Sequence, residues 1–100
     1  MLPSPEAAVS FRRAAGETGT GFSIISENTW HYAKHWKALE EMGEKDFFGT
    51  KAPSYAPETM AATEAKLSRA VMTGLNINMS DEDTERIINS VRSGAETALR

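Results

Sequence analysis

Residues 71–99 read VMTGLNINMSDEDTERIINSVRSGAETAL, and most of the architecture can be worked out from them. Val71, Thr73, Leu75 and Ile77 alternate with Met72, Gly74, Asn76 and Asn78, the two-residue period of a strand with one buried face. Ser80 then offers a hydroxyl to the open N–H groups of a helix start. Asp81, Glu82 and Asp83 complement the positive end of its dipole. Behind this cap Ile87, Ile88, Val91, Ala95, Ala98 and Leu99 keep the spacing of one apolar helical stripe, with Glu85, Arg86, Asn89, Arg92 and Glu96 turned elsewhere. A strand, a cap and an amphipathic helix follow one another, and none of them carries a catalytic group.

Working back toward the N-terminus, Ser4 and Pro5 form a cap and first helical position. Ala7, Ala8, Phe11, Ala14 and Ala15 then share one face until Gly16 stops the helix. The polar, glycine-rich segment 17–21 is a turn, and residues 21–25 read as a strand burying Phe22, Ile24 and Ile25. Asn28 and Thr29 are cap-like, and Trp30, Ala33, Trp36 and Leu39 recur at helical spacing as far as Met42 and Gly43. Residues 44–57 mix charges, two phenylalanines, Gly49, Pro53 and Pro57 and read as a long loop. A third helix is expected over residues 58–70, carried by Met60, Ala61, Ala65, Leu67 and Ala70. The predicted fold class is α/β (α+β), a small two-layer domain with helices packed on one face of a short sheet. Two strands bury little and leave open edges, which predicts a homo-oligomer, and the abrupt start at Met1-Leu2-Pro3 predicts a fragment that lacks an upstream strand and more.

Composition narrows the function. One hundred residues make one small domain, 40% apolar and 25% charged, with a net charge of −3. That charge argues against a protein built to grip phosphates, so no nucleic-acid partner is expected. No window approaches the roughly 18 consecutive apolar residues of a membrane span, and no secretory leader is recognisable, so the expected location is cytoplasmic. With no cysteine, disulfide scaffolds, thiolate zinc sites and thiol nucleophiles drop out.

Four residues are candidates for ligand contact: Trp30, His31, Tyr32 and His35. On a helix His31 and His35 would point the same way, as a two-histidine metal face requires. Tyr32 stands where the zinc-protease pattern needs glutamate and no third ligand is identifiable, so no metal is assigned. The segment leaves a predicted strand, where α/β proteins commonly place ligand contacts. It could equally present an aromatic surface to a protein partner or pack one tryptophan into the core. Nothing around Lys34, Lys37, Lys45, Lys51 or Lys66 marks an apolar pocket that would prepare a Schiff base, and all five read as solvated. Crowded Glu40, Glu41, Glu44 and Asp46 read as a solvated helix end, and Gly16, Gly19 and Gly21 do not form a phosphate loop.

Taken together, residues 63–91, with their short helix, apolar strand and Met79-Ser80-Asp81-Glu82 turn into a final helix, resemble the C-terminal end of the DegT/DnrJ/StrS-type sugar aminotransferases. The helix from Pro5, the strand at residues 21–25 and the Trp30-His31-Tyr32 run are similar to the preceding part of that small domain, in its keto-octulosonate aminotransferase subgroup above all. The resemblance implies a pyridoxal-phosphate-dependent enzyme acting on a keto sugar or nucleotide sugar. It also implies that the cofactor lysine, the acid facing the pyridine nitrogen and most phosphate contacts belong to a large N-terminal domain. In that setting this chain helps enclose substrate, binds no cofactor by itself and has no catalytic residue. The alternative is a freestanding α/β interaction module that dimerises or binds a protein partner.

Overall fold

The computed structural model describes residues 1–30, 32–38, 41 and 60–100. The first helix, α1, spans Pro5–Glu17. Ser4, in extended conformation, accepts the Ala7 N–H on its hydroxyl at 3.1 Å, and Pro5 fills the first helical position, where a missing N–H costs nothing. The helix passes through Gly16 and ends one residue later. Gly19 takes a left-handed φ of +97°, and the Thr20 and Gly19 N–H groups close back on the carbonyls of Ala15 (3.2 Å) and Gly16 (3.0 Å). That pair of bonds is a Schellman closure, so the stop signal is Gly19 and not Gly16. Ala7, Ala8, Phe11, Ala14 and Ala15 are all buried, as their spacing predicts.

Strand β1, Ser23–Ile24, pairs antiparallel with β2, Val71–Met72, in the register Ser23 to Met72 and Ile24 to Val71. Beyond the ladder the Ile25 N–H reaches the Ala70 carbonyl at 3.0 Å, and the Thr73 hydroxyl donates to the Gly21 carbonyl at 2.8 Å. The strand predicted over residues 71–77 therefore stops after two residues. Leu75 and Ile77 are 73% and 98% exposed instead of buried, because the ladder gives way at Thr73, whose side chain takes the Gly21 carbonyl, and a turn follows.

The helix expected from Asn28 and Thr29 does not begin there. Asn28 Oδ1 accepts the Trp30 N–H at 2.8 Å, a local side-chain turn that competes with helix entry. A 3₁₀ turn, Ala33–His35, follows, and residues 37, 38 and 41 are helical. The predicted loop at residues 44–57 lies outside the described residues. Helix α2, Ala61–Leu67, is shorter than expected: the Arg69 and Ala70 N–H groups bond three residues back, to Lys66 and Leu67, and tighten the last turn before β2. It has no fully buried side chain, and Ala61 and Ala65, expected inside, are exposed.

The last helix, α3, spans Asp81–Ala98 and opens with a full capping box. The Asp83 N–H donates to Ser80 Oγ at 3.1 Å, and the Asp83 carboxylate accepts from the Ser80 N–H at 3.4 Å. It packs along α1, and α1 also touches β1. The face that α3 turns inward takes in only part of the apolar stripe read from sequence. Ser90 and Gly94 are its buried residues and Ile87, Ala95 and Ala98 are half-buried, while Ile88, Val91 and Leu99 stay 43%, 42% and 66% exposed. Phe11 explains the choice: its ring lies so close to Gly94 that a Cβ there would sit 2.8 Å from Cδ2. The same ring meets Phe22 edge-on, centroids 5.1 Å apart, and so joins the helix pair to the strand pair. The architecture is a mixed one, three helices with a two-stranded antiparallel sheet among the described residues. No described helix is long and apolar enough to cross a membrane.

Candidate functional site

The segment leaving β1 is held by side chains that take backbone carbonyls. His35 Nε2 lies 2.8 Å from the Ser26 carbonyl and so carries the proton, and Trp36 Nε1 donates to the Thr29 carbonyl at 2.8 Å. The His35 N–H closes the 3₁₀ turn on the Tyr32 carbonyl, and the two rings meet edge to face at 5.5 Å. These bonds turn Tyr32 inward, where it is 2% exposed.

Inside, the Tyr32 hydroxyl donates to Glu64 Oε2 on α2 at 2.7 Å, and Lys34 Nζ donates to the same oxygen at 3.2 Å. The Lys34 ammonium also stands 5.9 Å from the Tyr32 ring centroid. Burial, then the hydrogen bond to Glu64 and its charge, push the Tyr32 hydroxyl up to about 12. The Tyr32 hydroxyl holds the Glu64 carboxyl below its ordinary range, with Lys34 and the His35 ring adding to that effect against the opposing cost of burial. The two values are driven apart, so at neutral pH tyrosine keeps its proton and glutamate its charge. The arrangement is a clamp across the chain rather than a proton-transfer pair.

Of the predicted contact residues, the structure brings Tyr32 and His35 together. Trp30 stands apart at 83% exposed, its ring turned to solvent, and His31, with the predicted His31 and His35 pair, lies outside the described residues. Tyr32 is committed to an internal bond, which leaves Trp30 and the outward edge of His35 as the surfaces open to a ligand. Lys34, read from sequence as solvated, is paired with Glu64 and partly covered. Glu64 had no local signal at all, since thirty residues separate it from Lys34.

A second feature lies between α1 and residues 22–28. Arg12, Phe22, Ser23, Ile24, Glu27 and Asn28 line an open cleft of about 190 Å³, crossed by an Arg12 to Glu27 ion pair of 2.6 Å. Its one guanidinium is already neutralised by that glutamate, and its volume falls below the few hundred Å³ typical of small-molecule sites. Among the described residues no group of three or more histidines and acids could hold a metal ion. Lys37 and Lys66 are exposed and Lys34 is ion-paired, so no described lysine sits in the apolar pocket that a Schiff base to pyridoxal phosphate needs. Compared with known proteins, the chain matches no family model, no curated protein and no solved structure.

Proposed function

We propose that this chain is the small C-terminal domain of a pyridoxal-phosphate-dependent sugar aminotransferase of the DegT/DnrJ/StrS type. It helps enclose a keto sugar or nucleotide sugar, and the covalent chemistry belongs to a large cofactor-binding domain. The observation that supports this reading best is the order of parts around the strand pair. Helix α1 leads to β1, the aromatic and histidine segment leaves β1, and β2 continues through Met79-Ser80-Asp81-Glu82 into α3. In that order Trp30 and His35 stand exposed on the segment between β1 and α2, while Tyr32 props the segment from behind. Exposed Leu75 and Ile77 are the kind of side chains a large domain would cover.

The test is fragment complementation. Co-expressed with a keto-octulosonate aminotransferase large domain that lacks its own small domain, the chain restores transamination, and Trp30→Ala or His35→Ala raises KM with a smaller effect on kcat. Failure to restore any turnover, with both fragments folded and associated, overturns the reading. The isolated chain with pyridoxal phosphate gives no imine absorbance, and a borohydride-trapped adduct would overturn the division of labour.

A second reading has its own observation. The apolar face of α3 left open by α1 fits a freestanding module that works by association. This reading needs no missing chemistry and is developed next.

A further inference from the structure

Helix α3 carries more apolar surface than α1 covers. At 100° per residue the buried Ser90 and Gly94 lie on one side of the helix. Thr84, Ile88, Val91, Ala95 and Leu99 lie on the neighbouring side as a second stripe about 22 Å long. Ile88, Val91 and Leu99 in that stripe are exposed.

We propose that this stripe is a self-association surface, on which α3 of a second copy packs antiparallel. The inference deepens the association reading and is independent of the aminotransferase one. Two features of the helix fix occupant and direction. The first is size. A two-fold axis beside Val91 sets Ile88 of each copy opposite the small Ala95 of the other, and Leu99 opposite Thr84, so a bulkier position meets a smaller one at each of these pairs. A parallel pair would set Ile88 against Ile88 and leave Ala95 facing Ala95. The second is charge. The first turn holds exposed Asp81 and Glu82 beside Asp83, and Arg100 lies exposed just past the other end. Antiparallel packing brings each acidic turn and positive dipole end beside the partner copy's Arg100 and negative end, where parallel packing would stack two acidic turns.

The surface is one helix wide, below the area of a stable standard interface, so the pair is a weak one in the micromolar range. Two Arg92 side chains flank the axis on the same side and repel, which weakens it further.

The absence of cysteine makes the test direct, because any disulfide comes from the residues introduced. Sedimentation equilibrium of the full chain shows conversion from one to two chain masses as concentration rises. Val91→Glu abolishes the conversion, and Leu99→Glu, at the helix end where the core is untouched, weakens it at least tenfold. Arg92→Gln tightens it severalfold. Ala95→Ile weakens it by filling the space Ile88 needs, whereas an unspecific sticky surface would gain affinity. Mild oxidation of an equimolar mixture of Ile88→Cys and Ala95→Cys chains gives mainly the mixed disulfide. A single chain mass at every concentration, tighter association of Ala95→Ile, or Ile88→Cys linking to itself as fast as to Ala95→Cys would each overturn the proposal. A monomeric chain that nonetheless completes the aminotransferase large domain would overturn it while leaving the aminotransferase reading intact.

Discussion

Gly94 and Ser90, one turn apart on α3, respond in opposite directions to the same substitution. A methyl on Gly94 would meet Cδ2 of Phe11 at 2.8 Å and Cε2 at 2.9 Å, and the ring is 5% exposed and braced by Phe22, so it cannot swing away. Overpacking of this kind costs about 1–3 kcal/mol, only partly offset by the better helix propensity of alanine. Gly94→Ala should therefore lower the unfolding midpoint by several degrees in a thermal melt followed by circular dichroism. Ser90 is fully buried, and its hydroxyl has no hydrogen-bond partner among the described residues. Since an unsatisfied buried hydroxyl costs roughly 1–3 kcal/mol, Ser90→Ala should raise the midpoint in the same assay. Neither residue was legible as core, because an apolar stripe is found by its large side chains. Here the buried positions of α3 are small ones, and Gly94 lies against a phenylalanine some eighty residues earlier. The alanines of α1 were legible for the converse reason: each repeats at helical spacing beside the phenylalanine they surround.

Among the elements, those whose ends are set by local chemistry were readable from sequence and those set by pairing were not. The Ser80 cap is the clearest case, since hydroxyl and acid lie three residues apart. Ser80→Ala should cost about 1 kcal/mol and fray the first turn of α3, seen as faster amide exchange at residues 81–84 with the rest of the helix unchanged. At the end of α1, Gly19→Ala forces a side chain into a left-handed conformation, and its Cβ would lie 3.2 Å from Arg86 Cδ on α3. It should be destabilising by about 1–2 kcal/mol, whereas Gly16→Ala, in open space within the helix, should be stabilising. Strands behave differently. The alternation through Ile77 is genuine, but a strand extends only as far as a partner supplies backbone. In the antiparallel register the partners of Thr73 and beyond run back from Ser23 toward Gly21 and the closing turn of α1, so β1 has no further strand to offer in that direction.

At the scale of the whole molecule, the clamp of Tyr32 and Lys34 on Glu64 ties the segment leaving β1 to the helix that leads into β2. Tyr32 and His35 could be singled out as aromatic and titratable residues at a strand exit. Their partner could not, because no local spacing connects positions thirty residues apart. The clamp has a pH signature with two sides. The Glu64 carboxyl is held low in the fold, so its contribution is present above the ordinary carboxylate range and is lost as pH falls through the folded value. The Tyr32 hydroxyl is raised from 10.0 to about 12, so the fold retains a proton that the unfolded chain gives up. Stability tied to this group is full below pH 10 and falls until about pH 12. The loss is on the order of 2–3 kcal/mol for a group shielded from solvent. Tyr32→Phe separates this from the other groups that titrate in alkali. At neutral pH it removes one charge-assisted hydrogen bond and should lower stability by about 1.5–3 kcal/mol, Glu64 keeping Lys34 as its partner. Between pH 10 and 12 the variant should then lose less stability than the unsubstituted chain, so that the two denaturation curves converge as the pH rises. Parallel decline of both chains across that window, measured by urea denaturation, would show that the Tyr32 hydroxyl does not hold its proton against Glu64 in the folded protein.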